Sequence, residues 1–113
     1  MSEPRLDRYT LVLLRRGERA EEYSEEERTA LQERHLAHLR EMREWGAMAV
    51  AGPFGDQPDD RLRGMCLYTV GLDETRGLAE GDPAVRAGRL AVEVLTWYVP
   101  HGEVRFGRTP THT

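Results

Sequence analysis

Apolar residues recur along the chain in two rhythms, one of strands and one of a helix. Tyr9–Leu14 reads Tyr-Thr-Leu-Val-Leu-Leu. It is short, rich in β-formers and apolar on both parities, the mark of a central strand. Glu25–Trp45 has helical spacing: Leu31, Leu36, Leu39, Met42 and Trp45 fall on one stripe roughly half a turn wide at 3.6 residues per turn. Glu33, Arg34, Arg40, Glu41 and Arg43 lie outside that stripe or on its edges. Ser24 is placed to cap this helix, and Glu27 completes a capping-box spacing. Gly46 stands just past its end, where a left-handed residue is easiest to accommodate. Ala47–Ala51 and Gly64–Val70 are two further apolar strands. Between them lie the turn Gly52-Pro53-Phe54-Gly55 and a polar loop over Asp56–Arg63. Leu72–Glu80 reads as a shorter helix stopped by Gly81. Asp82 and Pro83 then have the chemistry of an N-cap and a first helical position. Arg89–Val99 is the last strand.

The order is β-α-β-β-α-β, the ferredoxin-like split βαβ arrangement. It predicts an α+β fold: a four-stranded antiparallel sheet with two helices on one face. Residues 1–7 read as a flexible leader, 8–100 as the domain and 101–113 as a polar tail that frays. The strands are apolar on both parities, yet two helices cover only one face. A homodimer packed through its sheet faces is the economical way to cover the other.

The 113 residues suffice for one domain and one core. The net charge of −4 argues against a nucleic-acid backbone as the partner. No apolar run approaches the ~20 residues a membrane span needs. The first residues lack the apolar stretch of a signal peptide, so a cytoplasmic location is expected. Cys66 is the single cysteine, so no internal disulfide forms. All 16 basic residues are arginine, and alanine and glycine are plentiful, as in proteins of GC-rich bacterial genomes.

His35 is the anomaly, because it falls near the middle of the apolar stripe. A buried imidazole needs partners for its ring nitrogens or it costs about 1–3 kcal/mol. Two readings follow: a structural histidine bonded to a backbone carbonyl, or a functional group lining a pocket. His38 lies on the edge of the same stripe. Two histidines three apart can share a metal, but no third ligand is evident, so neither a metal nor a cofactor is expected. Arg34 is either an ordinary exposed helix arginine or a holder of a substrate carboxylate. Pro53 and Phe54 either wall a pocket or form a plain turn. Cys66 reads as core, with nothing nearby to activate a thiol. Tyr68, Trp97 and Tyr98 either line an apolar cavity or fill an interface. His101 and His112 read as solvated. No phosphate loop, dinucleotide fingerprint or Ser-His-Asp pattern is present.

The segments Arg34-His35-Leu36-Ala37-His38-Leu39, Gly46, Ala51-Gly52-Pro53-Phe54 and Gly81-Asp82-Pro83 with Ala87-Gly88 resemble, in order and register, the YciI-related (YCII domain) family. The resemblance covers about Tyr9 to Pro100. It implies a ferredoxin-like fold of the dimeric α/β barrel superfamily, with dimers formed through the sheets. It also implies a partner for the odd histidine: the family's helix histidine and Asp-Pro aspartate, a proposed acid–base pair, match His35 and Asp82. A few family relatives eliminate chloride from chlorinated hydroxyquinols, and more distant superfamily members include lactone isomerases and small monooxygenases. Two functions fit. One is a small cofactor-free lyase or isomerase, with His35 and Asp82 catalytic and Arg34, His38, Pro53 and Phe54 around the substrate. The other is a non-catalytic dimer that binds a small-molecule ligand or supports a pathway enzyme.

Overall fold

The structure is a computed structural model that describes residues 5–106. Strand β1 (Leu6–Arg16) leads through a short 3-10 turn (Ala20–Glu22) to helix α1 (Glu25–Glu44). Strands β2 (Met48–Pro53) and β3 (Leu62–Tyr68) follow, then α2 (Leu72–Glu80), the single-turn helix α3 (Pro83–Arg86) and β4 (Leu90–Pro100). The sheet order is β2-β3-β1-β4 and every neighbouring pair is antiparallel. This is the ferredoxin-like α+β topology.

Local chemistry explains the helix ends. Ser24 Oγ accepts from the Glu27 backbone N–H at 3.1 Å, and a Glu27 carboxylate oxygen accepts from the Ser24 N–H at 2.8 Å. The capping box thereby closes the start of α1. At the far end Gly46 takes φ = 82°, a left-handed conformation that only glycine adopts without strain. The start of α2 is held to β1 by two buried threonines. Thr10 and Thr75 both donate their hydroxyls to the Val70 carbonyl, at 2.7 and 3.2 Å.

The core lies between the helices and one face of the sheet. Val12, Leu14, Cys66, Tyr68 and Leu90 point into it from the strands, and Leu31 and Met42 are buried on α1. The apolar stripe expected on α1 is narrower in the fold. His35 is buried with Leu31 and Met42, but Leu36 and Trp45 are 45% and 66% exposed. Leu36 borders a cavity, and Trp45 is the C-cap residue, beyond the reach of the sheet.

The opposite sheet face carries Leu11, Leu13 and Leu67 flanked by Met65, Leu95 and Trp97. No helix among the described residues covers it. Its polar component is Arg15 beside Glu93, 3.7 Å apart. Tyr68 belongs to the core face and Trp97 to the open face, while Tyr98 is largely exposed.

The chain ends differ from expectation. β1 begins at Leu6, so the last part of the expected leader (1–7) belongs to the sheet; residues 1–4 lie outside the described residues. The expected fraying tail begins by folding back. His101 Nδ1 meets Asp7 at 2.8 Å, the Gly102 N–H donates to Asp7 at 3.0 Å, and Phe106 packs edge-on against Tyr9. The contacts with His101 and Gly102 hold the Asp7 carboxyl below its ordinary range. Residues 107–113, with His112, lie outside the described residues.

Candidate active site

The third turn of α1 presses His35 towards the α2–α3 junction, where Asp82 caps α3. One Asp82 oxygen accepts from the Ala84 N–H at 2.9 Å, and the other meets His35 Nδ1 at 2.5 Å. Asp82 is 2% exposed and His35 7%. A carboxylate only accepts, so Nδ1 carries the ring proton and Nε2 of the neutral imidazole is an acceptor. Nε2 has no protein hydrogen bond among the described residues, and His35 lines an open cavity.

That cavity, about 320 Å³, lies between α1 and the covered face of the sheet. It is large enough for a single substituted ring. His35, Leu36 and Leu39 border it from α1, Leu14 and Leu90 from the floor, and Pro53 from the end of β2. Its remaining polar side chains are Gln32, Arg63 and Arg89. Arg89 Nη1 donates to Gln32 Oε1 at 3.1 Å, and Arg63 pairs with Asp60 at 3.3 Å. Burial, followed by the neighbouring Arg63 and Arg28, lowers the basicity of Arg89.

The backbone behind Arg89 is fixed by close approach. The Gly17 N–H donates to the Arg89 carbonyl at 2.8 Å, and the Arg19 N–H to the Gly88 carbonyl at 3.0 Å. A Cβ on Gly17 would stand 2.1 Å from the Gly88 oxygen, so only glycine allows this strap.

The structure brings His35, Asp82 and Pro53 to one place. It does not bring Arg34 or His38 there. Both border a shallower groove with Glu41, Trp45 and Leu78 on the other side of α1. At about 100° per residue, Gln32, Leu36 and Leu39 fall to one side of His35, towards the cavity, and Arg34 and His38 fall to the other. Phe54 does not line the cavity; it is 39% exposed just past β2. Among the described residues no three His, Cys, Asp or Glu side chains gather as metal ligands. Cys66 is buried, and burial with the nearby Asp82 pushes its thiol up to about 12, the opposite of an activated nucleophile. Tyr68 is likewise pushed up, mainly by burial.

The fold is thus a two-layer α+β domain with a buried histidine–aspartate pair beside an open cavity lined by leucines, a glutamine and two arginines. The chain belongs to the YCII-related domain family, whose model matches residues 11–98. No curated protein matches it by sequence. A solved structure similar to it is the 5-chloro-2-hydroxyhydroquinone dehydrochlorinase TftG from Burkholderia phenoliruptrix AC1100, in complex with 2,5-dihydroxybenzoquinone. The two share 22% identity over 83% of this chain and 95% of that one, with a TM-score of 0.54. At that identity the likeness establishes the shared fold.

Proposed function

We propose that the protein is a small cofactor-free lyase or isomerase that moves a proton on a ring-sized organic substrate, with His35 as the acid–base group and Asp82 as its orienter. The observation that carries this reading is the 2.5 Å contact of His35 Nδ1 with Asp82 beside a cavity that His35 itself lines. Asp82 fixes the tautomer and stabilises the imidazolium formed when Nε2 takes a proton. A base so positioned contributes typically about 10²–10⁴-fold. Elimination of hydrogen chloride is one reaction such a base performs. Nε2 takes the proton, the electron pair left behind forms the new double bond, and chloride departs with the electrons of the C–Cl bond. The step is redox-neutral. The fold shared with a dehydrochlorinase supports that choice.

The working unit in this reading is a homodimer that buries the open sheet faces. The support is the apolar face carrying Leu11, Leu13, Met65, Leu95 and Trp97, where Met65, Leu95 and Trp97 remain exposed and no helix among the described residues lies over them. The cavity opens on the opposite, helix-covered side, so dimer and site are separable by mutation.

The test is incubation of the purified protein with 5-chloro-2-hydroxyhydroquinone under anaerobic conditions, with released chloride measured by ion chromatography. Release by the wild type that His35→Asn abolishes supports the reading. Release unaffected by His35→Asn overturns the assigned base. A substrate that binds and is recovered unchanged favours the binding module.

A further inference from the structure

Arg63 reaches the cavity through an irregularity in the sheet. Leu14 pairs with Gly64, but the next residue, Arg15, pairs with Leu62. Arg63 is therefore the extra residue of a bulge. Gly64, the partner of Leu14, sits at a covered-face position, so in a regular strand the Arg63 side chain would point to the open face. A bulge re-aims such a side chain, and Arg63 borders the cavity on the helix side. Arg89 reaches the same cavity from the loop strapped down by Gly17.

The charges there do not balance. Apart from His35, Arg63 and Arg89 are the ionisable groups that line the cavity, and no carboxylate among the described residues lines it. Asp60 engages Arg63 from outside. Arg89 forms no ion pair among the described residues; its hydrogen-bond partner is the neutral Gln32. Arg28 stands close enough to act on Arg89 as a further positive charge. The whole chain, by contrast, carries a net charge of −4. A partly buried guanidinium among like charges is costly without an anion, and its planar fork has donors left to bind one.

We propose that the cavity takes an organic anion, whose charged oxygens are held by Arg89 and Arg63 while its ring lies over Leu36 and Leu39 against His35. The proposal rests on the reading of this cavity as the substrate site and names its substrate class. The anion is either a carboxylate on the ring or a ring oxyanion of phenolate or enolate type.

The test is calorimetric binding at low ionic strength with two matched pairs of probes: 3-hydroxybenzoate against 3-hydroxybenzamide, and 2,4-dinitrophenolate against 2,4-dinitroanisole. At least one anion is expected to bind about ten or more times more tightly than its neutral partner. The tighter anion assigns the carboxylate or the ring oxyanion. Arg89→Gln and Arg63→Gln each weaken the anion about tenfold, the scale of one charge-assisted hydrogen bond, and leave the neutral probe unchanged. Arg89→Lys, which keeps the charge, recovers part of the loss. Anion preference is read by binding in the wild type and proton transfer by chloride release, so failure of the acid–base reading and failure of this one are told apart. Equal binding of charged and neutral probes, indifference to Arg89→Gln in a variant with an unchanged melting curve, or no binding of either anion overturns the proposal.

Discussion

Asp82 divides its carboxylate between two tasks: one oxygen caps α3 at the Ala84 N–H, and the other holds His35 Nδ1 at 2.5 Å. The two bonds fix the carboxylate from both sides, so the imidazole is oriented by a group that cannot itself rotate away. The helix cap and the candidate chemistry are therefore one device.

The double role separates two substitutions. Asp82→Asn keeps an oxygen for the Ala84 N–H but presents an amide donor to the ring, which reverses the tautomer preference. Activity should fall at least about a hundredfold while the melting temperature changes little. Asp82→Ala removes the cap, worth about 1 kcal/mol, and orphans a buried imidazole, worth about 1–3 kcal/mol. Urea denaturation should show a loss of about 2–4 kcal/mol for Ala and much less for Asn. Equal destabilisation by both would show that the cap is not a separable contribution.

The sequence pattern carries most of this site, though unevenly. His35 is visible because it breaks an apolar stripe, and Asp82 because Asp-Pro after a glycine is helix-start chemistry. Their pairing is not in the periodicity, since 47 residues separate them; it enters through the family resemblance. Arg34 attracts attention as the neighbour of His35, yet helical geometry turns it to another groove. Arg63 and Arg89 escape notice for different reasons. Arg63 depends on a bulge that alternation cannot reveal. Arg89 depends on a loop fixed by Gly17, which is far away in sequence and gives no sign of its contact with Gly88. The strands are legible except at their ends, because their limits follow pairing rather than propensity. β1 shows this: its apolar run starts at Tyr9, yet pairing with β4 extends it back to Leu6.

Gly46 tests the end of α1. It stands at φ = 82°, and nothing lies within 4 Å of the position a Cβ would take. A side chain there meets backbone strain and no clash. Gly46→Ala should cost about 1 kcal/mol in urea denaturation, and Gly46→Val more. No loss would mean that the helix end relaxes into another geometry.

The open sheet face tests the dimer. Leu95 sits there at 41% exposure, opposite Leu11 on β1. An interface of this kind buries more than about 1,000 Å² in total, so the wild type should sediment as a dimer at micromolar concentration. Leu95→Glu should sediment as a monomer and retain the anion-binding cavity on the other side of the sheet. A wild type that is monomeric and stable under these conditions removes the case for sheet-to-sheet packing.

Alkaline stability tests the buried thiol. Cys66 has an ordinary value of 9.0 and is pushed up to about 12 in the fold by burial and by Asp82. Below pH 9 the thiol is protonated in both folded and unfolded chains, and its contribution to stability is fully present. Above pH 9 the unfolded chain gives up the proton while the folded chain keeps it, so stability falls as pH rises towards 12. The slope approaches about 1.4 kcal/mol per pH unit for one proton. Tyr68 is shifted in the same direction from 10.0 and adds its own loss at higher pH. The window between pH 9 and 10 therefore reports mainly on Cys66. Cys66→Ala creates a small cavity and lowers stability by an amount that does not vary with pH. Its urea midpoint should be nearly flat across that window, where the wild type declines. Parallel slopes for the two proteins would assign the alkaline loss elsewhere and show that the Cys66 thiol titrates freely in the folded chain.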